Sequence, residues 1–481
     1  MSRIEERKAL GKVRFTDRAG MPLANSTVEY SLLNHEFLFG CNGFFVADLV
    51  NEMGEDAAEK NESVRQFLDV FNFATLPFYW GSFEPEEGKP RTAELMQAAK
   101  FLKAHDVKLK GHPLCWHTVC ADWLLKYDNK TILEKQVERI HREVEGFKGT
   151  IDMWDAINEV VIMPVFDRYD NAVTRLCREH GQVGLVKKIF DSAKESNPNA
   201  TLLLNDFNMS PSYEKLIEEC LDAGVRIDAI GLQSHQHQGY WGIEKLEDVL
   251  SRFERFGLPI NFTENTFVSG ELVPPELDDL NDYRYEDDAS TAEGEERQAK
   301  WMEEFYTQIF ENHPQVTAIT NWDFNDGAWL NAPSGLIRRD GTVKPAYFAL
   351  KKLIKEKWNS RGTAITDENT RAMAAESGLE TAISAEEVRA MAAEADLAKK
   401  NASQDFVIAG LAIENQFQEH QIIANAKDIK NETNRAMKAE GKLAMENKLQ
   451  DMAIAGLAAK DFKQDKQIND NKIIVIVNVI V

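Results

Sequence analysis

The sequence predicts a (β/α)8 barrel, and three observations predict it. Between residues 37 and 360, short β-rich runs bounded by turn residues alternate with longer amphipathic stretches, the pattern of strand–helix–strand units in a parallel sheet. Eight such runs can be read, the number that closes a barrel. A chain of 481 residues is too long for one ordinary core, so a large domain with a smaller appendage is expected.

Taken in order, "KVRFTDRAGMPLANSTVEY" (12–30) reads as a hairpin in an N-terminal β extension over residues 1–36. Strands follow at "FLFGCN" (37–42), "VFNFATL" (70–76), "VKLKGH" (107–112) and "TIDMWDAIN" (150–158). The series continues with "ATLLLND" (200–206), "IDAIGLQSH" (227–235), "LPINFTE" (258–264) and "VTAITNWD" (316–323). Helical patterns such as "TAELMQAAKFLKAH" and "YEKLIEECLDAG" fill most gaps. Composition changes near residue 360: Trp358 is the last Trp and Pro345 the last Pro. The barrel is therefore placed at 37–360, and 361–481 is read as a mostly helical appendage. That region repeats itself, with "RAMAAEADLAKKNASQDFVIAGLA" from Arg389 and "RAMKAEGKLAMENKLQDMAIAGLA" from Arg435, 46 residues on. Tandem units too small to bury an apolar face alone are expected to stack on each other or on a partner, by self-association or by docking to another protein. A loosely folded appendage is the alternative. The closing "KIIVIVNVIV" is β-prone and needs pairing or cover.

Composition excludes some functions. The formal charge of −23 argues against nucleic-acid and anionic-membrane partners, because phosphate binding needs a positive footprint. A neutral polysaccharide stays open. The five cysteines are odd in number and without a close CxxC pair, which reads as reduced thiols. "MSRIEERKAL" has no apolar core of a secretory signal, so the chain as written is expected in the cytoplasm, or outside the cell had a signal been removed. No stretch approaches the roughly 18 apolar residues of a membrane helix.

Barrel active sites gather at the C-terminal ends of the strands. "DMWDAINEV" puts Asn158 and Glu159 at the end of the fourth strand, and "INFTENTF" puts Glu264 at the end of the seventh. A buried carboxylate is costly unless paired or in use, so each acid is a catalytic candidate; a satisfied core Glu is the bland reading. Two carboxylates across a barrel mouth suit glycoside hydrolysis, in which one protonates the leaving oxygen and the other attacks the anomeric carbon. The other rim residues suit a sugar. "GHPLCWH" places His112, Trp116 and His117 after strand three, "GLQSHQH" places Gln233, His235 and His237 after strand six, and "NWDFNDGAW" places Trp322 and Trp329 after strand eight. Indole faces stack on sugar rings, and amides and imidazoles bind hydroxyls, although a buried Trp is more often core.

With these motifs in order, residues from about 12 to 355 resemble glycoside hydrolase family 10, the endo-1,4-β-xylanases. The resemblance implies a retaining mechanism with Glu159 as general acid/base and Glu264 as nucleophile, Asn158 on the sugar 2-hydroxyl, and His235 and Gln233 orienting the nucleophile. His112, Trp116, Trp322 and Trp329 match family positions that shape the glycone sites. There is one departure. Ahead of "FEPEEG", members usually carry a Glu-Asn pair and a Lys that hold the glycone xylose, whereas this chain has "TLPFYWGS". Phe78, Tyr79 and Trp80 then either replace polar grip with stacking or pack the barrel; Trp80 is counted among the substrate-binding candidates. The expected partner is a β-1,4-linked polysaccharide or oligosaccharide such as xylan, with no cofactor and no metal. The rivals are an endo-hydrolase of another β-1,4-glycan, a non-catalytic carbohydrate-binding or scaffold barrel, and a metal-dependent hydrolase using His235, His237, His112 and His117. Alternate strand residues point to opposite sides, which disfavours one ion shared by His235 and His237.

Overall fold

The structure is a computed structural model that describes residues 3–8, 18–19, 26–359, 361–366 and 473–474. Its strands in chain order are β1 (Ser26–Ser31), β2 (Leu38–Asn42), β3 (Phe73–Pro77), β4 (Lys108–His112), β5 (Met153–Asn158) and β6 (Thr201–Asp206). Then come β7 (Ala229–Leu232), β8 (His235–Gln236), β9 (Ile260–Phe267), β10 (Val316–Asn321), β11 (Arg361–Thr366) and β12 (Ile473–Ile474). The order β10-β2-β3-β4-β5-β6-β7-β9 closes on itself through β9 and β10, and every pairing in this ring is parallel. The expected eight-stranded barrel with intervening helices is therefore what the chain forms.

Side-chain chemistry grades along the barrel interior. At the N-terminal ends of the strands, Leu38, Phe73 and Ala318 form a small apolar cluster with Met153 against it. One step up, Lys110 and Asp155 are buried on neighbouring strands, and at the C-terminal ends Asn158, Asn205 and Glu264 are buried too. Outside the ring the strands are apolar: Trp154 packs on Phe78 and Phe147, and Phe262 on Phe305. Gly111 is needed for this packing, since a Cβ there would sit 2.2 Å from the Trp154 ring. All five cysteines are free thiols, and among the described residues no helix is long and apolar enough to cross a membrane.

The chain divides into two compact units, one holding Asn34–Asn359 and the other holding Leu10–Leu33 with Ser360–Asn478. In the first, the short turn Ile4–Arg7 joins the barrel rather than a separate extension: the Arg7 guanidinium donates to the carbonyls of His313 (2.6 Å) and Val316 (3.0 Å). In the second, β1 pairs antiparallel with β11 and parallel with β12. The first arm of the expected N-terminal hairpin, residues 12–17, lies outside the described residues; at Val28 and Glu29 β1 is flanked by two strands that follow the barrel in sequence. The described start of the supposed helical appendage is likewise a strand, and Ile473–Ile474 of the β-prone terminal run is paired. The repeats at Arg389 and Arg435 lie outside the described residues.

Candidate active site

Glu159 follows β5 directly and adopts a left-handed backbone conformation, φ 58°. The chain turns here at the strand end, and the Glu159 amide donates to the Asn205 carbonyl at 2.8 Å, so the carboxyl group stands at the barrel mouth. It accepts from Trp116 Nε1 (2.8 Å), Asn158 Nδ2 (3.2 Å) and Gln233 Nε2 (3.2 Å). Burial, then the negative charge of Glu264 and, more weakly, of Asp206, push its carboxyl up to about 8 despite these donors. At neutral pH Glu159 holds its proton.

Glu264 is 5% exposed on β9. His235 Nε2 donates to its Oε2 at 3.2 Å, and Asn205 Nδ2 donates to its Oε1 at 3.0 Å. Burial alone would raise its carboxyl, but the His235 hydrogen bond and the fields of His112, His235 and Lys110 outweigh that and hold it below the usual range. Beneath it lies a buried ion cluster: Asp155 meets Lys110 Nζ at 2.8 Å and His112 Nδ1 at 2.7 Å. Two residues of one type thus stand ready in opposite protonation states.

The two carboxyl groups share a scaffold of amides. Asn158 Oδ1 accepts from both Asn205 Nδ2 (2.8 Å) and Gln233 Nε2 (3.1 Å), while Asn205 Oδ1 accepts from Thr263 Oγ1 (2.6 Å). Asn205 therefore touches the Glu264 side and the Glu159 side at once. Around this centre, His112 lies 5.3 Å from Trp322 and 6.2 Å from Trp116, and His235 lies 4.5 Å from Trp329. An acid that holds its proton, a buried anion on the same rim and indoles around them can cleave a glycosidic bond by displacement.

Comparison with known proteins agrees with that chemistry. The model of glycosyl hydrolase family 10 matches residues 48–353, well over half of the chain. The chain belongs to glycosyl hydrolase family 10. Endo-1,4-beta-xylanase A of Xylanibacter ruminicola is 27% identical over 308 residues, which span 56% of this chain and 79% of the relative. An endo-1,4-beta-xylanase/feruloyl esterase of the same species is 27% identical over 234 residues, 42% of this chain, and there the match spans only 32% of the relative. Xylanase 10B of Thermotoga petrophila RKU-1, solved in complex with xylobiose, has the same fold, with TM-score 0.55 and 22% identity over 67% of this chain and 95% of that one.

In this family 10 hydrolase nine of the eleven expected site residues, Glu159, Glu264, His112, Trp116, Asn158, Gln233, His235, Trp322 and Trp329, come together at one mouth. Two do not. Trp80 is turned into the fold, its Nε1 donating to Glu84 (3.1 Å), its ring set against Trp123 and the Arg139 guanidinium. His117 is 1% exposed and edge-on to Phe166, and burial lowers its proton affinity to about 4. Its neighbour Trp116 takes the position facing Glu159. His237 is also buried beside Trp329, and its ring stands 6.2 Å from that of His235, whose Nε2 is engaged with Glu264. Among the described residues no group of three or more His, Cys, Asp or Glu side chains is placed to hold a metal ion.

Four residues of the site carried no assignment in the sequence: Lys110, Asp155, Asn205 and Asp206. Asn205 and Asp206 end β6 much as Asn158 ends β5 and Glu159 follows it, a polar pair after an apolar run, and that pattern is a usable signal. Asp206 is fully buried, and its carboxylate accepts from the backbone amides of Val161 (3.0 Å) and Asn208 (2.9 Å). Burial nevertheless raises it to about 7.

Proposed function

We propose that this chain is a retaining endo-1,4-β-xylanase that hydrolyses xylan or xylo-oligosaccharides by double displacement. The observation that carries the reading is the pair Glu159 and Glu264 on one rim, linked through Asn158 and Asn205, with burial and neighbouring charge pushing their proton affinities in opposite directions. In the first step a Glu264 oxygen bonds the anomeric carbon while the C–O bond to the departing sugar breaks and the Glu159 proton passes to the leaving oxygen. Asn205 and His235 hold the Glu264 carboxylate for attack. Once Glu264 is an ester its negative charge is gone, which removes a cause of the high proton affinity of Glu159. Glu159 then takes a proton from water as that water attacks the anomeric carbon, Glu264 leaves, and the product keeps its configuration. Asn158 is assigned to the sugar 2-hydroxyl, and Trp116, Trp322 and Trp329 to the ring faces.

The test is reducing-sugar release from xylan by wild type, Glu159→Ala and Glu264→Ala. Active wild type is expected, with Glu159→Ala down about 10²–10⁴-fold and Glu264→Ala down at least as far. Glu159→Ala should recover part of its first-step rate on an aryl xyloside whose leaving group needs no proton. Wild-type turnover by Glu264→Ala removes the assignment.

A further inference from the structure

The stretch after β3 carries three consecutive aromatics, Phe78, Tyr79 and Trp80, and the structure sorts them. Phe78 is fully buried against Phe83 and Trp154, and Trp80 is engaged with Glu84, while Tyr79 between them faces the mouth. The Tyr79 ring is 5.5 Å from Trp116 and 5.5 Å from His112, and Phe44 is edge-on to it at 5.8 Å. Trp322 lies 5.6 Å from Phe44. Tyr79, Phe44 and Trp116 each keep part of their surface exposed.

Polar grip from this stretch is scarce. Leu76 is fully buried, Pro77 has no N–H, and the Trp80 N–H is taken. Lys110, on the neighbouring strand β4, is committed to Asp155. What remains is the Tyr79 hydroxyl, which forms no hydrogen bond with any described group. Burial, followed by the charges of Glu264 and Glu159, keeps it protonated and therefore a donor.

We propose that Tyr79 is a specificity-determining residue, its ring forming a wall against the sugar that becomes bonded to Glu264, beside the Asn158 contact to the 2-hydroxyl. The proposal rests on the glycosidase reading above and adds how the substrate class is chosen. A site built to hydrogen-bond a group rejects an analogue lacking that group by about 10⁴-fold or more, but glucose carries every ring hydroxyl of xylose, so grip on those hydroxyls does not tell the two apart; an apolar wall separates ligands differing by a small group by roughly 10–200-fold. Xylose and glucose backbones differ by one hydroxymethyl group. The enzyme should therefore prefer xylo- over gluco-oligosaccharides only within that smaller range.

The experiment compares kcat/KM on xylotetraose and cellotetraose for wild type, Tyr79→Phe, Tyr79→Met and Tyr79→Ala, with thermal midpoints as the folding control. Tyr79→Ala and the bulkier Tyr79→Met should each lose roughly ten- to hundredfold on xylotetraose, mainly through KM, while Tyr79→Phe loses about threefold. A wild-type preference above about 10⁴ that survives Tyr79→Ala, or Tyr79→Phe losing as much as Tyr79→Ala, overturns the wall; so do ring-less variants within twofold of wild type. Inactive wild type on both substrates counts against the glycosidase reading instead. Calorimetric binding of xylotetraose to wild type and Tyr79→Met then still decides the wall, since binding unchanged by loss of the ring overturns it.

Discussion

Glu159, directly after β5, and Glu264, within β9, are the same residue on one barrel, yet one sits well above the ordinary carboxylate range and the other below it. Burial is the largest influence on both and pushes both upward. The difference comes from what each strand end faces. Around Glu264 the barrel places His235, His112 and Lys110; around Glu159 it places an indole, two amides and the carboxyl group of Asp206. A carboxyl group in a dry barrel mouth is a proton holder by default, and cations beneath it are needed to make it a nucleophile.

The comparison breaks most severely at Lys110. Lys110 and Asp155 are 1% and 0% exposed, so Lys110→Met strands a buried carboxylate with only His112 beside it. A broken buried pair costs about 3–5 kcal/mol. Asp155 is a group whose partners outweigh burial and hold it below its usual range, so its stabilisation exists above the unfolded pKa and disappears as pH falls. Without Lys110 that benefit shrinks, and the unfolding midpoint should drop most at neutral pH. Glu264 loses a cation as well, so its proton affinity rises and the acid limb of kcat/KM moves to higher pH. Lys110→Met/Asp155→Asn should be more stable than Lys110→Met alone; equal midpoints would mean the pair is not the cause.

That same ion pair marks what could be read from the chain and what could not. The eight strands were legible because buried parallel strands are short apolar runs, and Glu159 and Glu264 because acids at strand ends stand out against such runs. Lys110 lies within "VKLKGH", where Lys108 is exposed and Lys110 buried, and only closure of the ring decides which lysine points inward. Trp80 was assigned to substrate and Tyr79 left open because composition shows three adjacent aromatics, while the direction of each follows from the turn after β3. Asn205 was overlooked for a related reason: its partners are 47 and 59 residues away in sequence.

A smaller effect is expected where the two halves are linked. Gly231 on β7 sits against Asn205, and a Cβ there would be 2.3 Å from Asn205 Oδ1 and 2.9 Å from its Cγ. Gly231→Ala must displace the amide that bonds Asn158, Thr263 and Glu264. Overpacking of this kind costs roughly 1–3 kcal/mol, and a comparable loss of transition-state binding lowers kcat/KM by about ten- to a hundredfold. If the effect runs through Asn205, Gly231→Ala adds little activity loss to an Asn205→Ala background. A full additional loss in that background would show that Gly231 acts by another route.

The smallest predicted change sharpens the Glu159 side. Asp206 accepts the Val161 and Asn208 amides, so it both staples the turn that follows Glu159 and places a negative charge near it. Asp206 titrates at about 7 and Glu159 at about 8, so Asp206 is largely ionised as Glu159 gives up its proton. Asp206→Asn removes that charge, which makes proton loss from Glu159 easier. The alkaline limb of kcat/KM, set by loss of the acid's proton in the free enzyme, should then move to lower pH by up to about one unit. The acid limb, set by Glu264, should stay in place. A purely structural staple behaves differently: loosening the turn lowers kcat across the whole profile and leaves both limbs where they were. A pH profile of Asp206→Asn on xylo-oligosaccharides therefore separates charge from scaffolding, and an unmoved alkaline limb would leave burial and Glu264 as the causes that keep Glu159 protonated.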